Sequence, residues 1–591
     1  MTGMSVLTIS KQSMKVCDYV AQFIADRNVD TVFSIPGGGC IFLSDAFERE
    51  ERIEMVVNHH EQGCALSAEG YARAKGDMGV CLVTSGPGGS NAWTGTLCSY
   101  QDSVPVMVIS GNVNKSMTTN YTGLDLRQLG DQEFDVVKTV SNFTKYAVQV
   151  NDANTIKYHL EKAYYEANNG RKGPVWIDIP LDVSTDTVDI SKLKGFTPQD
   201  PLYDKIDIKT IINKLSNSKK PLIIVGNGVR LSNSVSLLDG ILEEYNIPVV
   251  TSLNGNDSVS NEYKYFGGRF GTAGQISANK LIQESDFILS LGSRLYVRQI
   301  GYNFKSFAKN AYKVYVDIDK GELNKPTLFP DMKVNTDVNL FLNELKPHLR
   351  QLNIDPWRDT CVKYVGKYPH VLERHKESNS PLSSYGVFDK LNEYTNKHDT
   401  IVTSNGTANI VGMQVLKLKK NQRMFTNKAT APMGYGLPAA IGSYYGTKNK
   451  IILLDGDGSL HMNIHELQVL VQNNLPIKII LLNNSGYLSI KITQTNFCNG
   501  KLSLSDKSSG LTLPDYSKIA YAYNLKYHSI KNKKDLKSVF DNVFTNNAYN
   551  GPELIEVFVD PHEVHEPKVK AQLDENGKFI PGELDSINWI L

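Results

Sequence analysis

No stretch of this 591-residue chain stays apolar for more than six or seven residues, far below the roughly 20 that a membrane-spanning helix requires. Nothing in it reads as a transmembrane segment. Neither sign of charge is in surplus. Its 63 Lys and Arg against 62 Asp and Glu leave a formal net charge of +1, so there is no electrostatic case for nucleic acid or an anionic membrane as partner. Cysteine is scarce: seven residues, an odd count, none in Cys-x-x-Cys spacing. That usage fits reduced thiols in a cytoplasmic protein and not a disulfide framework. Residues Met1–Ser10 lack the basic-then-apolar order of a secretory signal, and no short-period repeat is present.

At this length one core does not suffice, and three domains of ordinary size are expected. From about residue 12 to 184, helix-like and strand-like stretches alternate. Lys15–Ala25 and Ala65–Lys75 read as helices; Thr31–Ile35, Val80–Thr84, Val104–Ser110 and Pro174–Ile179 read as strands. Such alternation implies a parallel sheet. The polar stretch Thr185–Asp204 reads as a linker. A second unit has strands at Leu222–Val225, Val249–Ser252, Phe287–Leu291 and Lys313–Val316, and ends near Leu349. Gln351–Ser380 reads as a charged, Pro-containing connection, and the last thirty residues as an irregular tail. The expected architecture is α/β, with three doubly wound parallel-sheet domains at 1–184, 205–350 and 376–565 and a tail at 566–591. The first and third read as variants of one design.

One pairing in the third unit carries chemistry. Gly456-Asp457-Gly458-Ser459 follows the apolar run Ile451–Leu454, and Asn483-Asn484-Ser485-Gly486 follows Ile477–Leu482. Between them Asn463 and Glu466 resemble a capping box before a largely apolar helix. Two strands joined by a helix would release Asp457 and Asn484 at the same edge of a parallel sheet, where ligands bind in open α/β folds. A carboxylate, the Asn484 side-chain oxygen and the Gly486 carbonyl suit Mg²⁺, which takes oxygen ligands and shares them with phosphates. Asp-Gly and Asn-Asn are also ordinary turn chemistry, so either end alone says little.

Other segments add to this pairing. They are Asn58-His59-His60-Glu61-Gln62-Gly63 running on through Arg73, Thr84-Ser85-Gly86-Pro87-Gly88-Gly89-Ser90-Asn91, Gln101–Pro105, Val108–Gly111 and Ala431-Pro432-Met433-Gly434-Tyr435-Gly436. Together they resemble the thiamine diphosphate-dependent enzymes, in their acetolactate synthase branch, over nearly the full length and in the same domain order. The resemblance implies pyrimidine-binding, central and diphosphate-binding domains, with thiamine diphosphate and Mg²⁺ as cofactors. It makes Glu61 the carboxyl that bonds a pyrimidine nitrogen and helps take the proton from the thiazolium carbon. Met433 becomes the wedge that bends the cofactor, and the Ala431 carbonyl an acceptor for its amino group. Gly38 and Gln132 are placed at the reacting centre. Thr84, Gly88, Asn91, Gly456, Asp457, Gly458, Ser459, Met462, Asn484, Gly486, Tyr487 and Leu488 are placed around the cofactor, with Asp457, Asn484 and Gly486 on the metal. The implied reaction decarboxylates a 2-ketoacid, pyruvate first, and passes the two-carbon unit to an acceptor carbonyl. The implied assembly is a homodimer or homotetramer, with Glu61 and Asp457 meeting across a subunit interface.

The chain departs from that branch in two places. Thr493 stands near the offset of a tryptophan that selects the second ketoacid, and Asp131 precedes Gln132 where a phenylalanine is usual. A ketosugar acceptor is therefore the main rival, followed by simple decarboxylation. A non-catalytic scaffold is the rival of another class, and the intact Glu61, Met433, Asp457 and Asn484 argue against it. In the central domain relatives hold FAD. Gly226, Gly228, Arg294, Asp317, Ile318 and Glu322 resemble its contacts, whereas Tyr296-Val297 replaces an acidic pair usual after the arginine. The same glycines and acids are normal punctuation at strand ends.

Overall fold

Three six-stranded sheets, parallel throughout, organise the chain. The computed structural model describes residues 13–199, 201–546, 549–569, 572–573, 579–580 and 582–589. Met1–Ser10 and parts of the tail, both read in the sequence, lie outside these. Contacts divide the chain into two compact units, one of Met1–Asp200 with Ile441–Thr447, the other of Pro201–Ala440 with Lys448–Leu591.

In the first unit β1 (Thr31–Ser34), β2 (Glu54–Val57), β3 (Gly79–Val83), β4 (Val106–Asn112), β5 (Tyr146–Gln149) and β6 (Val175–Pro180) lie in the order β2-β1-β3-β4-β6-β5. All seven residues of β4 are buried, as expected of a parallel strand covered on both faces. Helix α1 (Glu61–Lys75) follows β2, and the short α2 (Pro87–Asn91) follows β3. The stretch Thr185–Asp204 is not all linker: Thr187–Asp189 pairs antiparallel with Ser13–Lys15.

The second unit holds the other two sheets. Strands β7 (Pro221–Val225), β8 (Val249–Thr251), β9 (Phe266–Arg269), β10 (Phe287–Leu291), β11 (Tyr312–Asp317) and β12 (Met332–Asn335) are ordered β9-β8-β7-β10-β11-β12. Helix α3 (Asp355–Lys367) packs on this sheet. The connection Gln351–Ser380 is therefore largely helical, contrary to its sequence reading. Pro356 sits in the first turn, where its missing N–H costs nothing. Trp357 and Cys361, one turn apart, bury themselves in the central core, and Trp357 Nε1 donates to the Pro221 carbonyl at 2.9 Å.

The last sheet comprises β13 (Thr400–Thr403), β14 (Arg423–Phe425), β15 (Ile451–Gly456), β16 (Ile477–Asn483), β17 (Lys526–Ile530) and β18 (Glu553–Phe558), in the order β14-β13-β15-β16-β18-β17. This is the order of the first sheet, strand for strand. Helix α4 (Gly406–Val415) follows β13, α5 (Asp457–His461) and α6 (Leu467–Gln472) follow β15, and α7 (Leu488–Phe497) follows β16. The described part of the tail is anchored within its unit: Glu566 Oε1 lies 2.6 Å from Arg374 Nη2, and Asn279 Nδ2 donates to the Leu584 carbonyl at 3.0 Å.

Replacing Trp357 with alanine removes a buried ring and its hydrogen bond. The expected loss is about 3–5 kcal/mol of stability, read as a lower denaturant midpoint; a change under 1 kcal/mol would refute the pinning role of α3.

Candidate functional site

In the first sheet the strand order reverses between β1 and β3, and the crevice at their carboxyl ends is where such sheets take ligands. The two exit turns interlock. Gly39 N donates to Thr84 Oγ1 at 3.1 Å, and a Cβ on Gly37 would lie 2.4 Å from Thr84 Cβ. Gly38 faces open space, with nothing within 4 Å of a Cβ built there. Glu61, half-buried, opens α1, whose N-cap His60 accepts the Gln62 amide through Nδ1 at 3.1 Å. Asn91 Nδ2 donates to Glu61 Oε2 at 2.9 Å. Oε1 is left beside Gly88, 3.6 Å from a Cβ there. Burial first, and then the Glu61 charge, push the Cys81 thiol up. Gln132 is exposed and held at φ +55°, a left-handed conformation costing of order 1–3 kcal/mol in a non-glycine residue. Two features impose it. Gly86 packs so closely that a Cβ would sit 2.2 Å from the Gln132 carbonyl, and the buried Glu133 next to it accepts both the amide and the hydroxyl of Thr119 at 2.9 Å.

In the last sheet β15 and β16 run in register, Asp455 beside Leu481 and Gly456 beside Leu482. Asp457 and Asn484 accordingly leave the sheet side by side. The Asp457 side chain, 1% exposed, accepts the Gly458 amide on Oδ1 at 2.8 Å, and the amides of Asn484 and Gly486 on Oδ2 at 3.1 and 3.2 Å. Burial nevertheless pushes this carboxyl up to about 6, against the pull of those amides. Asn484 Oδ1, on a residue 4% exposed, has no hydrogen-bond partner among the described residues. A buried acceptor without a donor is costly. An anionic oxygen and an orphaned neutral one on adjacent loops fit a hard cation. Among the described residues there is no cluster of three His, Cys, Asp or Glu that could hold a metal, so beyond the Asp457 carboxylate any such ion relies on amide and carbonyl oxygens. Gly486, at φ +142°, leaves no room for another residue, since a Cβ would meet the Ser505 carbonyl at 2.4 Å.

Around this pair the structure gathers the remaining residues of that sheet. A Cβ on Gly458 would lie 2.3 Å from the Tyr487 ring and 3.5 Å from Met433 Cε. Gly456 faces open space, Leu488 is buried at the start of α7, and Met462 is half exposed. The Ala431 carbonyl accepts from Asn405 Nδ2 at 3.2 Å. The capping box read at Asn463 and Glu466 is not formed. Asn463 stands at the N-cap of the 3₁₀ turn Ile464–Glu466 but its side chain makes no capping bond; its Nδ2 donates instead to the Gly434 carbonyl at 2.8 Å.

At the central switch point, between β7 and β10, a Cβ on Gly226 would lie 2.1 Å from the Gly292 carbonyl, and Gly228 N donates to that carbonyl at 3.0 Å. Close backbone packing thus requires these glycines. Arg294 Nε lies 3.2 Å from Glu322 Oε1, Lys325 lies 2.6 Å from the other Glu322 oxygen, and Asn335 Nδ2 donates to the Asp317 and Ile318 carbonyls. At the end of β8 and on the loops around the crevice, Thr251 Oγ1, Asn256 Oδ1, Ser258 Oγ and Ser293 Oγ are buried with no hydrogen-bond partner among the described residues.

Sequence reasoning passed over Tyr516, whose hydroxyl donates to the Asp457 carbonyl, and Lys491, buried beneath the Asn484 carbonyl at 3.2 Å. Burial holds the Lys491 ammonium below its usual range, with Asp506, Asp457 and Asp560 opposing. It also passed over Asp455, pushed by burial up to about 7. Tyr516 lies 59 residues from Asp457, and no local pattern links them.

Three family models match the chain: the thiamine pyrophosphate enzyme N-terminal TPP binding domain at residues 14–138, the central domain at 208–345, and the C-terminal TPP binding domain at 404–557. The chain is 32% identical over 573 residues to the acetolactate synthase large subunit of Lactococcus lactis, covering 94% of each. It is 31% identical over 582 residues to the chloroplastic acetolactate synthase 2 of Nicotiana tabacum, covering 96% of this chain and 84% of the relative. With the acetolactate synthase isozyme 2 large subunit of Escherichia coli it shares 28% identity over 549 residues, covering 93% and 96%.

Asp455 and Asp457 set a pH dependence. With pKa values raised to about 7 and about 6, the folded chain retains protons that an unfolded chain releases above pH about 4. Without divalent cation these two carboxyls therefore withdraw stability as pH rises, until both have ionised, while His370 and His565, held by burial at about 4, act in the opposite sense below about pH 6.5. Asp455→Asn should flatten the upper part of that loss in denaturant midpoints taken with a chelator from about pH 5 to 8. An unchanged slope would refute it.

Proposed function

The chain belongs to the thiamine pyrophosphate enzyme family, and on that premise we propose that it is an acetolactate synthase-like enzyme. It decarboxylates a 2-ketoacid, pyruvate in the first instance, and ligates the two-carbon unit to an acceptor carbonyl. The observation that carries this reading is the buried, unpartnered Asn484 Oδ1, on the residue whose amide also holds Asp457.

When bound, thiamine diphosphate supplies the carbon nucleophile and electron sink for decarboxylation and ligation. Asp457, Asn484 Oδ1 and the Gly486 carbonyl would hold Mg²⁺, whose charge would balance the diphosphate. Gly456, Gly458, Ser459, Met462, Tyr487 and Leu488 would line the diphosphate side. Glu61 would supply the proton-exchanging carboxyl at the pyrimidine through Oε1, with Oε2 held by Asn91 and Thr84 and Gly88 shaping the wall behind it. Met433 would be the wedge against the cofactor, and the Ala431 carbonyl, bonded here by Asn405, would be the acceptor for its amino group. Gly38 leaves space at the reacting carbon, and Gln132, strained and exposed, faces the substrate. FAD is proposed for the central crevice beside Gly226, Gly228, Arg294, Asp317, Ile318 and Glu322, supported by the unpartnered oxygens around it. The domain boundaries proposed are 1–184, 205–350 and 376–565.

Assembly as a homodimer or homotetramer is supported by exposed apolar side chains in each unit, among them Tyr121 and Leu124 in one and Phe497 and Leu504 in the other. Among the described residues no helix is long and apolar enough to cross a membrane, and a cytoplasmic location is proposed. For the acceptor, a second reading is favoured by the exposed polar Asp131 and Thr493: a ketosugar, giving a branched sugar, in place of a second pyruvate.

The test incubates the protein with thiamine diphosphate, Mg²⁺ and pyruvate and quantifies CO₂, acetolactate and acetaldehyde. Acetolactate is the expected main product; CO₂ release that needs an added ketosugar would select the second reading, and no turnover of pyruvate under either condition would refute the proposal. Glu61→Gln should lower kcat on the order of 10²–10⁴-fold with cofactor still bound by equilibrium titration. Mg²⁺ affinity should rise with pH up to about 6, where Asp457 ionises, and then level off; calorimetric titration across that range checks it.

A further inference from the structure

Met433 reaches Gly458 from a segment with left-handed backbone on both sides, Ala431 at φ +49° and Gly434 at φ +83°. No strand ladder holds this turn. Side chains from the segment that begins with Asp457 do. Ser459 Oγ accepts the Gly434 amide at 3.1 Å, and Asn463 Nδ2 donates to the Gly434 carbonyl at 2.8 Å. Both backbone groups of one residue are thus taken by buried side chains, Ser459 at 4% and Asn463 at 2% exposure. The fit leaves no slack: a Cβ on Gly434 would lie 2.8 Å from Asn463 Nδ2 and 2.9 Å from Met462 Cβ. Ser459 is itself fixed, its Oγ 2.6 Å from Ser404 Oγ at the end of β13.

We propose that Asn463 is a positioning residue, which by holding the Gly434 carbonyl sets Met433 at a fixed distance from Asp457. The inference rests on the function proposed above, in which Met433 bends the cofactor and Asp457 anchors it. The bend and the anchor then share one rigid piece of chain, because Asp457, Ser459 and Asn463 lie within a single turn-and-a-half after β15. Without the amide of Asn463 the anchor remains, while the Gly434 carbonyl loses its donor and the wedge can shift about the Ser459 bond that still holds the Gly434 amide. That separates two properties: cofactor affinity stays with Asp457, and turnover depends on the wedge. Displacement by about 1 Å can cost roughly 10²-fold in rate.

A double-mutant cycle in the full-length protein tests this. The variants are Asn463→Ala, Met433→Ala and the pair, with kcat on pyruvate, the dissociation constant of thiamine diphosphate in saturating Mg²⁺, and the circular dichroism of the bound cofactor as readouts. Asn463→Ala is expected to lower kcat by roughly 10²-fold, to leave the dissociation constant within about threefold, and to shift the cofactor's dichroism as Met433→Ala does. In the Met433→Ala background it should cost no more than about threefold further, the signature of two residues acting as one unit. If Asn463→Ala fails to fold, Asn463→Leu, of similar volume and without the donor, carries the same cycle. Equal losses of kcat in both backgrounds, or a loss confined to cofactor affinity, would overturn the proposal. Met433→Ala without effect on kcat in a protein that binds cofactor would overturn instead the reading of Met433 on which it rests.

Discussion

A single buried carboxylate ties the ends of two strands together. Asp457 sits where β15 stops and accepts amides from its own helix and from the loop that leaves β16. Three amides do not fully offset its removal from water, since burial still raises its pKa to about 6. The site is therefore built with an electrostatic deficit that the proposed cation would correct. Gly486 must be glycine for its amide to approach, Asn484 keeps an oxygen unmatched, and Tyr516 and Lys491 hold the backbone from beneath. Each of these loses its reason if Asp457 is removed.

The glycines divide into two kinds. Gly37, Gly226 and Gly486 are forced by backbone or side chains pressed against them, with a hypothetical Cβ at 2.1–2.4 Å from a neighbour. Gly38 and Gly456 face open space, so packing does not explain them; room for the proposed ligand would. In a crevice between strand ends, the first kind brings loops close and the second leaves the surface concave.

The central strands of each sheet, such as Val106–Asn112, Phe287–Leu291, Ile451–Gly456 and Ile477–Asn483, were legible because buried parallel strands are continuous apolar runs, whereas Tyr146–Gln149, Phe266–Arg269, Arg423–Phe425 and Lys526–Ile530, toward the sheet edges, carry no such run and were not placed. Asp457 and Asn484 were legible because their strands stand in register, so distance along the chain translated directly into position. Asn463 was misread for the opposite reason. Asn-x-x-Glu is the same pattern whether the side chain turns back to cap a helix or outward to another loop, and the Gly434 carbonyl that decides the matter lies 29 residues away. The Gln351–Ser380 stretch was misread because its proline and charges mark a break, while Trp357 and Cys361 give only one turn of apolar spacing to signal α3. Tertiary partners decided both cases.

The first and last sheets share one strand order, yet nothing of the chemistry is duplicated. After the second strand in sequence, one carries Glu61 and the other Ala431 and Met433. After the third, one carries Thr84 and Gly88 and the other Asp457 and Ser459. Topology assigns corresponding loops to the same crevice in each case, because the order reverses at the same place. It does not say what they hold. Glu61 is half-buried and takes one side-chain amide, whereas Asp457 is sealed and takes three backbone amides; one strand order thus surrounds its two carboxyls with different donors, and what each crevice does is set by those side chains and not by the fold.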